Sequence, residues 1–349
     1  MIIQTKTVLP AEWSPQDAIL LCWPHKSMDW HSLLDKVEPV FEQIADNICR
    51  HQALILIAHD KNHQTAINQR LIQKKIKTTN IKWLLHPNND TWCRDYGPIT
   101  VFQKDRCTAL NFTFNGWGEK FDHYHDNITN QKLQLESLLN CDVETIDLVL
   151  EGGSIESDGL GTLLTTRQCL LSPKRNTQLS QQQIETKLTE HLGCDRVLWL
   201  TQGYLEGDDT DSHIDNLARF CNPTTIAYAS CDDKADTHYD SLKAMESELK
   251  AFVTKDNDKY SLIPLAIPKP IFDDGQRLPA SYANFLITNQ HVLVPTFDDP
   301  QDTINIEKLQ SVFSDREVIA ISSKELIKQS GSIHCLSMQL PAQTLNTEK

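Results

Sequence analysis

Cys335 stands beside His334 in the stretch SGSIHCLSMQLP, which raises the question of what this thiol does. A free cysteine commonly packs as a small buried hydrophobe. As a thiolate it is instead a strong nucleophile, from an ordinary pKa of about 8.5. If SIHCLSM is a strand, neighbouring side chains point to opposite faces, and His334 turns away from Cys335. A base would then have to come from elsewhere. DDTDSHIDNLARF supplies His213, with Asp215 two residues on and on the same face of an extended segment. Asp208, Asp209, Asp211 and Asp215 crowd this stretch. Such acids keep an imidazole charged over a wider pH range and favour a cationic ligand. The same composition suits a solvated acidic loop around a structural histidine. A metal reading lacks a third spaced ligand.

Two further clusters carry charge next to apolar runs. In NDTWCRDYGP, Arg94 and Asp95 diverge if the chain is extended, so only one of them can face a pocket. Either could equally be a surface ion pair before a turn. Cys93 would share the Asp95 face, as a second thiol in the pocket or as packing. In LVLEGGSIESDGLGT, Glu151 ends an apolar strand at a Gly-Gly turn. No Gly-Lys-Ser/Thr follows, so this is no phosphate loop. One thiol, one histidine and several carboxylates form a coherent site for attack on a cationic carbon.

The elements that must position these groups alternate regularly. LLDKVEPVFEQIADNI reads as a helix with Leu33, Val37, Val40, Phe41, Ile44 and Ile48 on one face, and ALILIA follows as a buried strand. HQTAINQRLIQKKI, NQKLQLESLLN, QQQIETKLTEHLG, YDSLKAMESELKAF and about Thr303 to Phe313 read as further helices. IKWLL, YGPITVF, VETIDLVL, GTLLTT, CLLSP, RVLWL, NLARFC, TIAYAS, YSLIPLAI, NFLITN, HVLVPTF, EVIAIS and SIHCLSMQL read as strands. The clusters near Asp95, Glu151, His213, YANF and Cys335 recur roughly every 50 to 70 residues, each beside a strand, as similar modules around a shared centre would place them. No linker divides the chain, so it reads as one α/β domain over residues 1–349.

A chain of 349 residues that is 40% hydrophobic can bury a large core. Its net charge of -14 repels phosphate backbones, which argues against nucleic acid as a partner. The longest apolar run is too short to span a membrane, and the N-terminus carries no signal-peptide pattern. Ten cysteines without Cys-x-x-Cys spacing read as the reduced thiols of a cytoplasmic protein.

Taken in order, LPAEWSPQDAILLCWPH, NDTWCRDYGP, FNGWGEKFDHYHDN, EGGSIESDGLGTLLTT, DTDSHIDNLARF, YANFLITNQHVLVPTFDDPQD and SIHC resemble the agmatine deiminases and bacterial peptidyl-arginine deiminases of the guanidine-modifying pentein superfamily. The resemblance runs nearly end to end. It implies a five-module, pseudo-symmetric α/β propeller, no cofactor, no metal, and homo-oligomers as a common form. By this resemblance Cys335 is the nucleophile and His213 the general acid/base. Asp95 and Asp215 bind the guanidinium, and Glu151 matches the family's buried glutamate. Asp209 matches a further substrate-binding acid, and Trp92 and Trp117 match tryptophans that would cover the substrate's alkyl chain.

The implied reaction is hydrolysis of agmatine to N-carbamoylputrescine and ammonia. Deimination of peptidyl or free arginine is the alternative within the same chemistry, with Arg219 and Arg277 as candidate partners for a free carboxylate. A catalytically silent member that binds polyamines or a protein is the alternative outside it. Three departures stand out: Ser212 where the family carries glycine, Tyr96 where a smaller residue is usual, and Ser330-Gly331-Ser332 in a thinned glycine run. Any of these that needs positive φ costs something like one kcal/mol or more.

Overall fold

The computed structural model describes residues 6–104 and 106–347. Five sheets repeat one pattern. A leading strand pairs antiparallel with a second strand, a helical segment follows, and a third strand returns parallel to the second. The first sheet joins the chain ends: Ser337–Pro341 leads, Gln16–Cys22 pairs with it, and Ala53–Ala58 and Ile81–Leu85 add in parallel. The second is led by Ile99–Gln103, followed by Arg106–Thr113 and Asp142–Val149, with Thr7–Val8 on its outer edge. Ile155–Ser157, Thr162–Thr166 and Arg196–Leu200 form the third. Ala218–Asn222, Thr225–Ser230 and Ser261–Ala266 form the fourth, and Leu286–Ile287, His291–Thr296 and Glu317–Ser322 the fifth.

Local chemistry explains the elements. The helix Leu34–Cys49 buries Val37, Val40, Phe41, Ile44 and Ile48, the apolar face read from its spacing. Gln181–Leu192 starts with a Ser180–Gln183 capping box and stops at Gly193 in the left-handed region. Ala53–Ala58 is almost wholly buried because strands pair along both its edges and the helices Leu34–Cys49 and Lys61–Gln73 pack against it.

Two expected strands differ. Arg167–Leu170 is a helical turn capped by the Thr166 hydroxyl, so CLLSP is not extended. The final strand begins only at Ser337, leaving His334 and Cys335 in the turn before it. The thiols are also not all reduced, since Cys107 and Cys141 form a disulfide. No described helix is long and apolar enough to cross a membrane.

One feature of this plan positions the site. The backbone just before each leading strand carries a polar group: Cys93–Tyr96, Gly152–Ser154 after Glu151, Ile214–Asn216 after His213, Asn284, and His334 with Cys335. Short helical turns replace strand geometry at the first three of these. Residues far apart in sequence therefore converge at one end of the five leading strands.

Candidate active site

Cys335 lies at the base of a pocket enclosing about 510 Å³ of empty space, its mouth included. Trp92, Trp117 and Phe121 form apolar wall, while Asp29, Asp90, Asp95 and Asp209 supply carboxylates. No lysine or arginine is among the lining residues. Gly331 lets the Trp92 ring pack against the Cys335 loop, because a Cβ there would overlap the indole. Trp117 sits in a Gly116–Glu119 turn where it adopts φ 57°, a left-handed conformation that aims its indole inward.

Asn284 organises the nucleophile turn. Its Nδ2 donates to the Cys335 Sγ at 3.1 Å, and its Oδ1 accepts from the His334 N–H at 3.0 Å. The thiol lies 3.6 Å from Asp215 Oδ2. Burial, with Asp215 and Asp95 nearby, pushes the thiol pKa well above its ordinary value. Without a cation in the pocket, Cys335 is a thiol.

The two carboxylates beside it differ in their partners. Asp95 accepts from Trp117 Nε1 and from the Gly153 N–H, both at 2.9 Å. Burial, with Asp215 and Glu151 adding to it, raises its pKa to about 6 against the pull of His213 and Trp117. Asp215 is fully buried and receives His334 Nδ1 at 2.8 Å on Oδ2. Burial opposes its ionisation, yet His334, His213 and Arg219 together hold its pKa below the ordinary carboxylate value.

His213 is wholly buried, with Nδ1 3.6 Å from Asp95 Oδ1. Burial alone would discharge it. Asp95, then Cys169 and Glu151, outweigh that cost and raise its pKa to about 10. It is therefore an imidazolium at neutral pH, and neither ring nitrogen is satisfied by a protein oxygen or nitrogen. His213, Asp95 and Asp215 crowd around one glycine: a Cβ on Gly153 would lie 2.7, 2.8 and 3.0 Å from His213 Nδ1, Asp95 Oδ1 and Asp215 Oδ2.

The sequence-predicted residues thus divide into groups. Cys335, Asp95, Asp209, Trp92 and Trp117 line the pocket. His213 and Asp215 are buried behind that lining, Asp215 Oδ2 reaching the Cys335 thiol at 3.6 Å and both meeting Asp95 around Gly153. Glu151 is close to His213, but both its oxygens accept from Arg175 Nε at 2.9 Å. It acts on His213 as a fixed negative charge and is not free to grip a ligand. Asp209 is half-exposed and paired with Lys120 Nζ at 2.9 Å.

Arg94 turns from the pocket to Gln339 and Glu12, opposite to Asp95, through a helical turn where extended chain was expected. Cys93 does not line the pocket and packs by the Tyr96 hydroxyl. Arg219 is buried between Glu12 and Glu156, and Arg277 pairs with Asp236, so neither lines the pocket. Ser212 and Ser330 do adopt φ of 64° and 63°, so both bear the strain foreseen for a lost glycine, whereas Ser332 does not.

His334 reverses the strand argument. It and Cys335 both face Asp215, because the turn frees them from strand alternation. Sequence reasoning also missed Asn284, Glu12, Asp29 and Asp90. The YANF cluster marked the place of the first, Glu12 and Asp90 stand unremarked inside LPAEWSPQDAILLCWPH and NDTWCRDYGP, and nothing local marked Asp29. Two buried groups present three potential ligand atoms each, Glu151–Cys169–His213 and Glu12–Glu156–His334. Arg175 and Arg219 already engage carboxylates of both.

The Porphyromonas-type peptidyl-arginine deiminase family matches residues 8–341. The agmatine deiminase of Medicago truncatula is 32% identical over 368 residues, covering 96% of this chain and 96% of that protein. A solved structure from Porphyromonas gingivalis superposes with a TM-score of 0.92 at 43% identity, covering 98% of this chain and 100% of that one. A substrate-bound agmatine deiminase of C. jejuni superposes with a TM-score of 0.91 at 35% identity, covering 99% of each chain. The five-sheet plan is the pentein fold of these deiminases.

Proposed function

We propose, from the premise that this chain belongs to the Porphyromonas-type peptidyl-arginine deiminase family and is a hydrolase of amidine C–N bonds, that it deiminates agmatine through Cys335. The observation that carries this reading is the thiol itself, set between Asp95 and Asp215 at the base of a pocket whose charged lining residues are all acidic. A planar guanidinium suits two carboxylates, which hold it by charge-assisted hydrogen bonds. The substrate's distal ammonium suits the acidic mouth. A free α-carboxylate does not, and Arg219 and Arg277 are committed elsewhere. We read residues 1–349 as one catalytic domain, since the strand that follows Cys335 pairs with Gln16–Cys22.

The chemistry follows from the charges. Binding of the cation neutralises the field that keeps Cys335 protonated, and the thiol proton leaves to solvent. The Sγ lone pair then attacks the guanidinium carbon. Collapse of the tetrahedral adduct breaks one C–N bond. His213, as imidazolium, gives its proton to the departing nitrogen, and ammonia leaves. A thiouronium remains on Cys335. Neutral His213 takes a proton from water as the oxygen adds to the carbon. The C–S bond breaks, the adduct's hydroxyl proton passes to the departing Cys335 sulfur to restore the thiol, and the ureido product N-carbamoylputrescine is released. Trp92 and Trp117 cover the alkyl chain and limit water at the reacting carbon.

The test is ammonia release from agmatine, free arginine and an arginine-containing peptide, with Cys335→Ala as the blank. Turnover of agmatine, lost in the variant, is expected. Preferential turnover of the peptide would keep the mechanism and overturn the substrate. No release from any of the three by folded protein would sink the reading.

A further inference from the structure

His334 is the residue that the reaction above does not use, and its surroundings are too specific for filler. Nδ1 lies 2.8 Å from Asp215 Oδ2, and Nε2 lies 2.8 Å from Glu12 Oε2. The ring is 1% exposed, so water does not share these contacts. Glu12 is itself tightly held: it accepts from Arg219 Nη2 at 2.6 Å and from the Ile287 N–H at 2.6 Å, with Arg94 Nη2 at 3.8 Å.

The protonation of this chain follows from geometry. A neutral imidazole donates through one nitrogen and accepts through the other. Here both nitrogens face carboxylate oxygens at 2.8 Å, and the donors around Glu12 keep it ionised. The chain Glu12–His334–Asp215 therefore holds one proton more than a neutral ring and two carboxylates would. Burial, with Arg219 and Arg94, lowers the His334 pKa, and the two carboxylates facing its nitrogens act against that, so the extra proton belongs to the chain and not to the ring alone.

The other oxygen of Asp215 is the telling atom. Oδ1 is buried and has no hydrogen-bond partner in the protein. A buried carboxylate oxygen left unpaired is costly unless a ligand satisfies it. We infer that His334 is a positioning residue for the reaction: it fixes Asp215 by Oδ2 so that Oδ1 is the atom offered to the substrate guanidinium. Glu12 and Arg219 hold His334 in turn. The residue preceding the nucleophile thus acts on the substrate through a carboxylate from another module. This rests on the reading of Asp215 as a guanidinium ligand.

Two amides separate the halves of the imidazole. The Asn side chain places its Nδ2 near the ring position of Nδ1 and can still donate to Asp215. The longer Gln reaches toward the Nε2 position and serves Glu12 instead. Full-length His334→Asn should keep kcat/KM for agmatine within about tenfold of wild type, whereas His334→Gln should lose about 100-fold, with KM raised. Alkylation of Cys335 by iodoacetamide, which carries no guanidinium, should change less than about threefold in both. Collapse of the site would instead slow alkylation and turnover together.

Equal loss in the two variants, or alkylation falling in step with turnover, overturns the inference. If neither variant folds, the agmatine complex of the Cys335→Ser protein decides. Asp215 should keep Oδ2 on His334 and place Oδ1 on the guanidinium, and an agmatine complex with His334 released from Asp215 would refute it. Absence of turnover by the wild type on all three guanidinium substrates removes the functional reading and this inference with it. Wild-type turnover without the Asn–Gln difference removes this inference alone.

Discussion

Asp95 and Asp215 are both buried beside Cys335, and their charges are held to different degrees. Asp95 is hydrogen-bonded by neutral donors, an indole N–H and a backbone N–H, with the His213 imidazolium 3.6 Å away, and burial together with two like charges still raises its pKa to about 6. Asp215 is held by His334 with Arg219 behind it, and its pKa falls below the ordinary value. Burial opposes ionisation at both. What separates them is how many positive groups act on each: His213 alone on Asp95, but His334, His213 and Arg219 on Asp215, with Glu151 as a further like charge on the Asp95 side. The Asp215 side is therefore a permanently ionised floor, whereas the Asp95 side waits for a cation to complete it.

The strongest way to break this contrast is to neutralise each acid in turn. Asp95→Asn and Asp215→Asn should each lower kcat/KM by about 1,000-fold, since each removes charge-assisted bonds to the guanidinium. Their stabilities should separate. Asp95 binds its proton more tightly in the folded chain, so at pH 8 its ionised form weakens the fold. Asparagine there should stabilise by about 1 to 3 kcal/mol. Asp215 binds its proton less tightly when folded, and it strengthens the fold at pH above the ordinary carboxylate pKa. Asparagine there should destabilise. Denaturant unfolding of both variants at pH 8 reads the sign, and a shift in the same direction would break the contrast.

Gly153 joins the two sides. A methyl group there meets His213, Asp95 and Asp215 at once, and the space between them is the space the reacting groups share. Gly153→Ala should cost about 100-fold in kcat, with a loss of about 1 to 3 kcal/mol in stability from overpacking. Steady-state kinetics and urea unfolding measure the two, and full activity with alanine at 153 would show that the three groups need not stay so close.

The pH profile sharpens the comparison further. On the acid side, protonation of Asp95 below about 6 loses its grip on the cation. On the alkaline side, His213 loses its proton above about 10. Because kcat/KM reports the free enzyme, in which Cys335 is a thiol, it should rise through the first value, keep rising more gently toward the raised thiol pKa, and fall where His213 discharges. Trp117→Phe removes a donor that favours the ionised form of Asp95. Its acid limb should move upward by about one pH unit, with about a threefold loss near pH 6.5 that grows toward tenfold at about pH 5. An unmoved limb would mean that another group sets it.

Much of this arrangement was legible in the sequence, and the failures have a common cause. Helical faces such as Val37, Val40, Phe41 and Ile44, and the buried run ALILIA, follow from periodicity and burial. The five polar clusters marked the right segments because each precedes a leading strand. Arg94 and Asp95 diverge and His213 and Asp215 converge as read, but a turn in place of extended chain takes Cys93 off the pocket face and brings His334 round to the side of Cys335. Cys93–Tyr96, Ile214–Asn216 and the turn at His334 all break strand alternation. The contacts between His334 and Glu12, and between Asn284 and Cys335, span most of the fold and leave no local signal. The Cys107–Cys141 pair is likewise set by two chain segments meeting at the edge of the second sheet.

The mouth of the pocket gives the gentlest test. Sequence resemblance assigns Asp209 to the substrate, yet Lys120 Nζ already sits 2.9 Å from its carboxylate and 2.6 Å from its backbone oxygen. Both partners are partly exposed, so the pair adds little to stability and is weakened by salt. Its effect is on charge: a lysine over Asp209 cancels one of the acids that a dication would meet, and leaves Asp29 and Asp90 to set the field at the entrance. Lys120→Met should therefore lower KM for agmatine by about two- to fivefold at low ionic strength, with kcat unchanged and the gain shrinking as salt is added. An arginine peptide, with no distal ammonium, should gain less. A raised KM for agmatine would mean that the lysine's tie between the Trp117 turn and the Asp208–Ser212 loop matters more than the charge it covers.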